Sequence, residues 1–299
     1  GELRQPLAEG GAWAWPVALA AHLVVLRLAA PYWPAALRAA AHVVGVLVLA
    51  VLGALGGRAV TADWGDAASA WAWLGWLAAP ALLLGLLVAA PRAYALWAGG
   101  LLAFSLWGWT LLANLASSGA ARPLPHVPLL NPLDLGIGIA LAGVALWLRS
   151  APLRDALAAR PSLRDRLAPA ALGAAGFVWL NAILVRGFHH YGDVPYRLHA
   201  WTRSLPVQTG LTLLWTATAL ALMWLAARRA LRGPWIVGAC LLGAVVLKLL
   251  LVDLSGSGTV TRIVSFIGVG LLMLVIGYVA PLPARGPAGD LKEAADGRV

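Results

Sequence analysis

The stretch PVQTGLTLLWTATALALMWLAA, residues 206–227, decides the fold. It runs without a charged side chain and, as a helix, covers about 33 Å, enough to cross a hydrocarbon core of about 30 Å. A helix is the natural spanning form, because lipid cannot satisfy exposed backbone groups. Working outward, comparable blocks recur on both sides. Spans are expected at 12–30, 34–55, 69–89, 93–116, 133–148, 167–185, 206–227, 234–252 and 260–280. The ten-residue alternation of a membrane β-barrel is absent. The pattern therefore predicts an all-α, polytopic transmembrane bundle of about nine spanning helices within residues 1–280. A disordered cytoplasmic tail is expected over 281–299, where PLPARGPAGDLKEAADGRV turns Pro/Gly-rich and mixed in charge.

Composition agrees. Of 299 residues, 61% are hydrophobic and 11% charged, against about 25% charged in a soluble domain. So few charges could not cover a soluble surface. The formal net charge of +10 sits mostly on Arg. Arg at span ends sets orientation, and nucleic acid is not expected as a partner. Cys240 is the single cysteine, which excludes an intrachain disulfide framework and a Cys-based zinc site. No cofactor is expected. High Ala, Leu, Arg and Trp with two Lys suggests a GC-rich bacterial genome.

Orientation follows from the basic loops. Arg149, Arg154, Arg160, Arg164 and Arg166 follow the fifth span, and Arg228, Arg229 and Arg232 follow the seventh. Two spans separate these loops, so they share one side, which the positive-inside rule makes cytoplasmic. The chain is thus expected in a bacterial inner membrane with Gly1 periplasmic and Val299 cytoplasmic. An external start without a leader leads us to expect further helices before Gly1, in a longer protein. Trp13, Trp15, Trp33, Trp97, Trp147, Trp201 and Trp235 lie near span ends, as interfacial anchors do. Trp179 and Trp215 lie deeper, where packing between helices is expected. Ala170/Ala174 and Ala239/Gly243 offer small faces for close helix contact.

Polar residues concentrate in the expected external loops. One holds Arg58, Asp63, Trp64 and Asp66, and a Pro-rich one (ARPLPHVPLLNP) leads through His126 and Asn131 to Asp134. The richest is HHYGDVPYRLHAWTRS, residues 189–204, with three His, two Tyr, one Trp, one Asp and two Arg. Two readings stand: a surface helix at headgroup depth, or a binding or catalytic rim. His189, His190, Asp193 and His199 could bind a metal, but the spacing fits no metal motif, and no metal is expected. Lys248 lies inside a span, where an ionisable group is functional by default. It either snorkels to the headgroups or provides a fixed charge for an anion. Asp253 is five residues on, about 140° around a helix, and Arg262 opens the next span. Arg186, Arg203, Lys248 and Arg262 could then hold a phosphate or carboxylate, with His189, His190 and Tyr191 orienting it. His189 or Asp253 is the candidate general base if the protein is an enzyme. His22 and His42 lie within spans and are expected to be packed and hydrogen-bonded, and Asn181 is expected to bond across helices. Walker, GxSxG, HExxH, DxD, voltage-sensor and TVGYG signatures are absent, so a nucleotide-driven pump or potassium channel would need those parts elsewhere.

The region from Asn181 to Pro283 resembles the C-terminal part of a bacterial family of large, multi-pass inner-membrane proteins catalogued as a domain of unknown function. The likeness rests on the His189–His190 pair, on Gln208 and Trp215 in Q-x-x-x-x-x-x-W, and on K-x-x-x-x-D-L-S from Lys248 followed by R-I-V-S-F from Arg262. It implies a helical membrane fold and longer relatives with a charged N-terminal segment. It supplies no activity. It does mark His189, His190, Gln208, Lys248, Asp253 and Arg262. The expected function is binding or transport of an anionic envelope lipid or glycan at a periplasmic-side site, with membrane lipids and further membrane subunits as partners. A membrane-embedded transferase and a structural or assembly subunit are the alternatives.

Overall fold

A computed structural model describes residues 11–65 and 70–249, together with 267, 270, 271 and 274. Within it the chain forms helices α1 Gly11–Ala29, α2 Ala35–Ala62, α3 Ala70–Leu87, α4 Arg92–Ala116 and α5 Pro132–Leu148. These are followed by α6 Ala151–Ala156, α7 Pro161–Tyr191, α8 Leu198–Arg203, α9 Leu205–Arg228 and α10 Arg232–Lys248. No strand occurs among the described residues. Five helices are long and apolar enough to cross a membrane: Ala35–Ala62, Ala70–Leu87, Tyr94–Ala116, Pro161–Tyr191 and Leu205–Arg228. Trp13–Ala29 and Pro132–Leu148 are apolar but shorter. The span expected at 260–280, the tail 281–299, Asp66, Asp253 and Arg262 lie outside the described residues, apart from four helical positions in that span.

Two units divide the chain, Gly1–Trp201 and Thr202–Val299. In the first, α3 packs against α2, α4 and α5, while α7 lies along α4 and α5. Its apolar core is built from Leu77, Leu84, Leu102, Leu106, Leu133 and Ile137, among others. The α2–α3 crossing is set by glycine. A Cβ on Gly75 would collide with the backbone carbonyl of Gly57 and the Thr61 hydroxyl, so backbone meets backbone there. Close approach of this kind gives van der Waals contact where lipid offers helices no hydrophobic drive to associate.

The second unit centres on the α9–α10 hairpin, around Ala219, Met223 and Leu242. Of the expected Ala239/Gly243 face, Ala239 packs against this cluster, but the closest approach lies one residue earlier. Gly238 is the residue pressed against α9, where a Cβ would lie 2.9 Å from the Ala219 carbonyl oxygen, whereas one on Gly243 would meet nothing within 4 Å. The buried stripe of α10 is Gly238, Leu242 and Val245, and Gly243 falls off it.

Helix α7 also outruns expectation. The expected span stopped at residue 185, yet the helix has 31 residues and ends at Tyr191. At about 46 Å it exceeds a hydrocarbon core by several turns. Residues 186–191, read as connection, are its last turns.

Candidate functional site

The α7 extension puts polar residues on the helix's packing face. Ala175, Trp179, Ala182, Arg186 and His190 recur at helical spacing. Ala175, Ala182 and Arg186 are buried, with Arg186 at 0% exposure. The Arg186 Nη1 donates to Asp134 Oδ1 at 2.7 Å, and both side chains are at 0% exposure. Nη2 donates to Asn114 Oδ1 at 2.8 Å, and Nε to the Ser117 carbonyl at 3.3 Å. The guanidinium of α7 thus ties together the end of α4, the loop that follows it and the start of α5.

Asp134 is held as tightly. It sits in the first turn of α5, where the Asn131 side chain caps the helix by accepting from Asp134 N at 3.0 Å. Pro132 occupies the position where a missing N–H costs nothing. Asp134 Oδ2 accepts from Leu129 N at 3.1 Å and from the Asn131 amide, while Trp179 Nε1 donates to Oδ1 at 2.7 Å. Each donor offsets part of the cost of burying a carboxylate. The positive end of α5 adds to this.

Outside this pair lies a ring cluster. The loop between α4 and α5 brings His126 onto His190, stacked at 4.0 Å between centroids. His189 meets His190 edge-on at 4.8 Å, and Tyr196 lies 5.8 Å from His189. Gly119 (φ +74°) makes the approach possible, because a Cβ there would lie 3.2 Å from Arg186 Cδ and 3.3 Å from His126 Cε1. Backbone carbonyls hold the rings: His190 Nε2 to Ser118 O at 2.8 Å, His189 Nδ1 to Val194 O at 2.8 Å, and His126 Nδ1 to Gly119 O at 3.4 Å. Tyr191 donates its hydroxyl to the His126 carbonyl, and Tyr196 to that of Asn114. His126 Nε2 is buried and has no hydrogen-bond partner. With Nδ1 as donor, that nitrogen is an acceptor. Burial, then the neighbouring His190 charge, holds the His126 pKa below its ordinary value. Burial raises that of Tyr196.

The expected site residues therefore fall into distinct situations. His189, His190 and Tyr191 come together. Arg186 was expected as a free charge for a substrate and is instead neutralised internally by Asp134. His126 and Asp134, read only as loop residues, belong to this assembly. In the second unit, Lys248 Nζ donates to Thr212 Oγ1 at 2.7 Å and to the Gln208 carbonyl at 3.3 Å. Arg203 is exposed at the end of α8. Of the deeper polar groups, His22 bonds to the Ala41 carbonyl at 3.2 Å. Asn181 donates to Phe177 O within its own helix at 2.7 Å. No group of three metal-ligating side chains occurs among the described residues.

The family described as "Predicted membrane protein (DUF2339)" matches residues 2–283. The chain belongs to the DUF2339 family. The match reaches far upstream of the Asn181–Pro283 stretch that carried the resemblance, so the Arg186–Asp134 pair and the His126 loop both lie within the DUF2339 region. No curated protein and no solved structure matches the chain.

Proposed function

We propose that this DUF2339 protein binds an anionic, hydroxyl-bearing lipid or glycan of the bacterial envelope at the ring cluster ending α7. In this reading the chain has about nine spans in the inner membrane, with the cluster and the N-terminus periplasmic and the C-terminus cytoplasmic. The observation that carries it is the buried, partnerless Nε2 of His126 beside His190. A neutral imidazole nitrogen accepts from a hydroxyl, the commonest donor of sugars and glycerol headgroups. Arg197, exposed on the same connection, offers a positive charge to the anionic part.

The test compares the full chain with His126→Ala and His190→Ala in nanodiscs. Binding of an anionic glycolipid is measured against a lipid of equal charge without sugar. The wild type should prefer the glycolipid, and both variants should lose that preference while still unfolding in a single cooperative transition. Equal binding of the two lipids by the wild type sinks the proposal.

A transferase is the second reading, favoured by His189. Its Nδ1 is tied to the Val194 carbonyl at 2.8 Å, which leaves Nε2 as a base. His189→Ala would then lower turnover while leaving substrate affinity intact.

A further inference from the structure

A cavity of about 220 Å³ opens between the first turns of α2 and α4, lined by Ala35, Arg38, Ala39, His42, Val43 and Tyr94. It is smaller than the roughly 300–1,000 Å³ that encloses a drug-sized ligand, and so has the size of a headgroup fragment. Its chemistry is mixed. Ala35, Ala39 and Val43 form an apolar wall. Arg38, His42 and Tyr94 bring one cation and two groups able to donate hydrogen bonds. His42 and Tyr94 meet edge-on at 4.9 Å, which fixes the two rings against each other. No carboxylate lines the cavity, and the ion pairs among the described residues leave Arg38 out.

Both helices start behind proline. Pro34 and Pro91 occupy the N-cap positions and provide no side-chain cap. The first amides of α2 therefore keep their positive character near Arg38, and those of α4 near Tyr94. The occupant is indicated by α2 itself. Only 11% of its spanning window is buried inside the chain, with Leu37 and Val44 among its exposed residues. In a membrane, most of the surface of such a helix would meet lipid.

We infer that this cleft takes the phosphate-bearing headgroup of an anionic phospholipid, with Arg38 on the phosphate, His42 and Tyr94 donating to its oxygens, and an acyl chain following Val43. The site is separate from the ring cluster at the end of α7, so the two proposals stand or fall independently.

Native mass spectrometry of the full chain, released from nanodiscs holding phosphatidylglycerol and phosphatidylcholine, reads the bound lipid. The wild type should retain phosphatidylglycerol selectively. Arg38→Gln should weaken that retention at least about tenfold, the scale of one hydrogen bond to a charged group. Arg92→Gln removes an equal charge from the same end of α4 without lining the cleft, and should leave retention unchanged. Tyr94→Phe removes one hydroxyl and should produce a partial loss, which keeps the test decisive if Arg38→Gln fails to fold. Equal losses from Arg38→Gln and Arg92→Gln would reduce the effect to general surface charge and overturn the inference. Full displacement of the lipid by inorganic phosphate would overturn it too, by making the ligand a free anion.

Discussion

Arg186 and Asp134 stand 52 residues apart in sequence and 2.7 Å apart in the fold, with no exposed surface on either side chain. A pair this deep gains little over an apolar substitute, but either member alone is costly. Asp134→Ala or Arg186→Met should each destabilise the chain by about 3–5 kcal/mol. The double variant should recover most of the loss. Thermal unfolding in detergent completes the double-mutant cycle. Additive losses would mean the two charges are solvated separately.

His126 should make stability depend on pH. Its folded pKa lies below its unfolded value of about 6.5, so the unfolded chain binds the proton first. The stabilisation is complete above about pH 6.5 and is lost as pH falls through the window down to the folded value. The charged and titratable groups facing the ring are His190, Tyr191, Asp134 and Arg186. His126→Phe keeps a ring for the stack and removes the titration. Its melting midpoint should therefore fall less than that of the wild type on acidification, and parallel curves would refute this.

Two glycines on α3 should respond oppositely to the same change. Gly75→Ala drives a methyl into the Gly57 carbonyl, whereas a Cβ on Gly85 meets nothing within 4 Å. Gly75→Ala should force α2 from α3 and lower the melting midpoint sharply. Gly85→Ala should be neutral or stabilising by up to about 1 kcal/mol through helix propensity.

The orientation can be checked across α7 alone. With Cys240, which is exposed, replaced by Ala, a cysteine at Asp193 should label from the periplasm and one at Asp155 only after permeabilisation. Labelling of both from one side would mean that α7 does not cross.

The helices were legible because hydropathy is a local property. The segment expected at 34–55 is the core of α2, and that expected at 206–227 differs from α9 by one residue at each end. The α7 boundary was not legible by the same measure, because Arg186, His189 and His190 end an apolar run without ending a helix. Their spacing was the available signal. Trp179, Arg186 and His190 fall on one face if the helix continues. Asn131-Pro132-Leu133-Asp134 likewise carries a start signal, a capping side chain followed by proline and then an acid three residues on.

The pairing itself was beyond a single sequence. Nothing near Asp134 names a partner in another helix, and Arg186 reads as one more arginine at a span end. The same holds for His126, whose contact with His190 depends on how a Pro-rich loop folds back over Gly119. Gly238 was missed for a subtler reason. Gly243 is equally small, and only the rotation of α10 against α9 decides which glycine faces inward.

The separation of Asp134 from Arg186 also has a consequence in time. A ribosome adds about 5–20 residues per second, so the arginine is made roughly 3–10 s after the aspartate. Throughout that interval the carboxylate has its cap at the start of α5 but no counter-charge. The α4–α5 hairpin can enter the lipid at once only with this end held at the water boundary. Arrival of α7 is then the event that closes it, which makes the seventh helix the clasp of the first unit and ties its final packing to the order of synthesis.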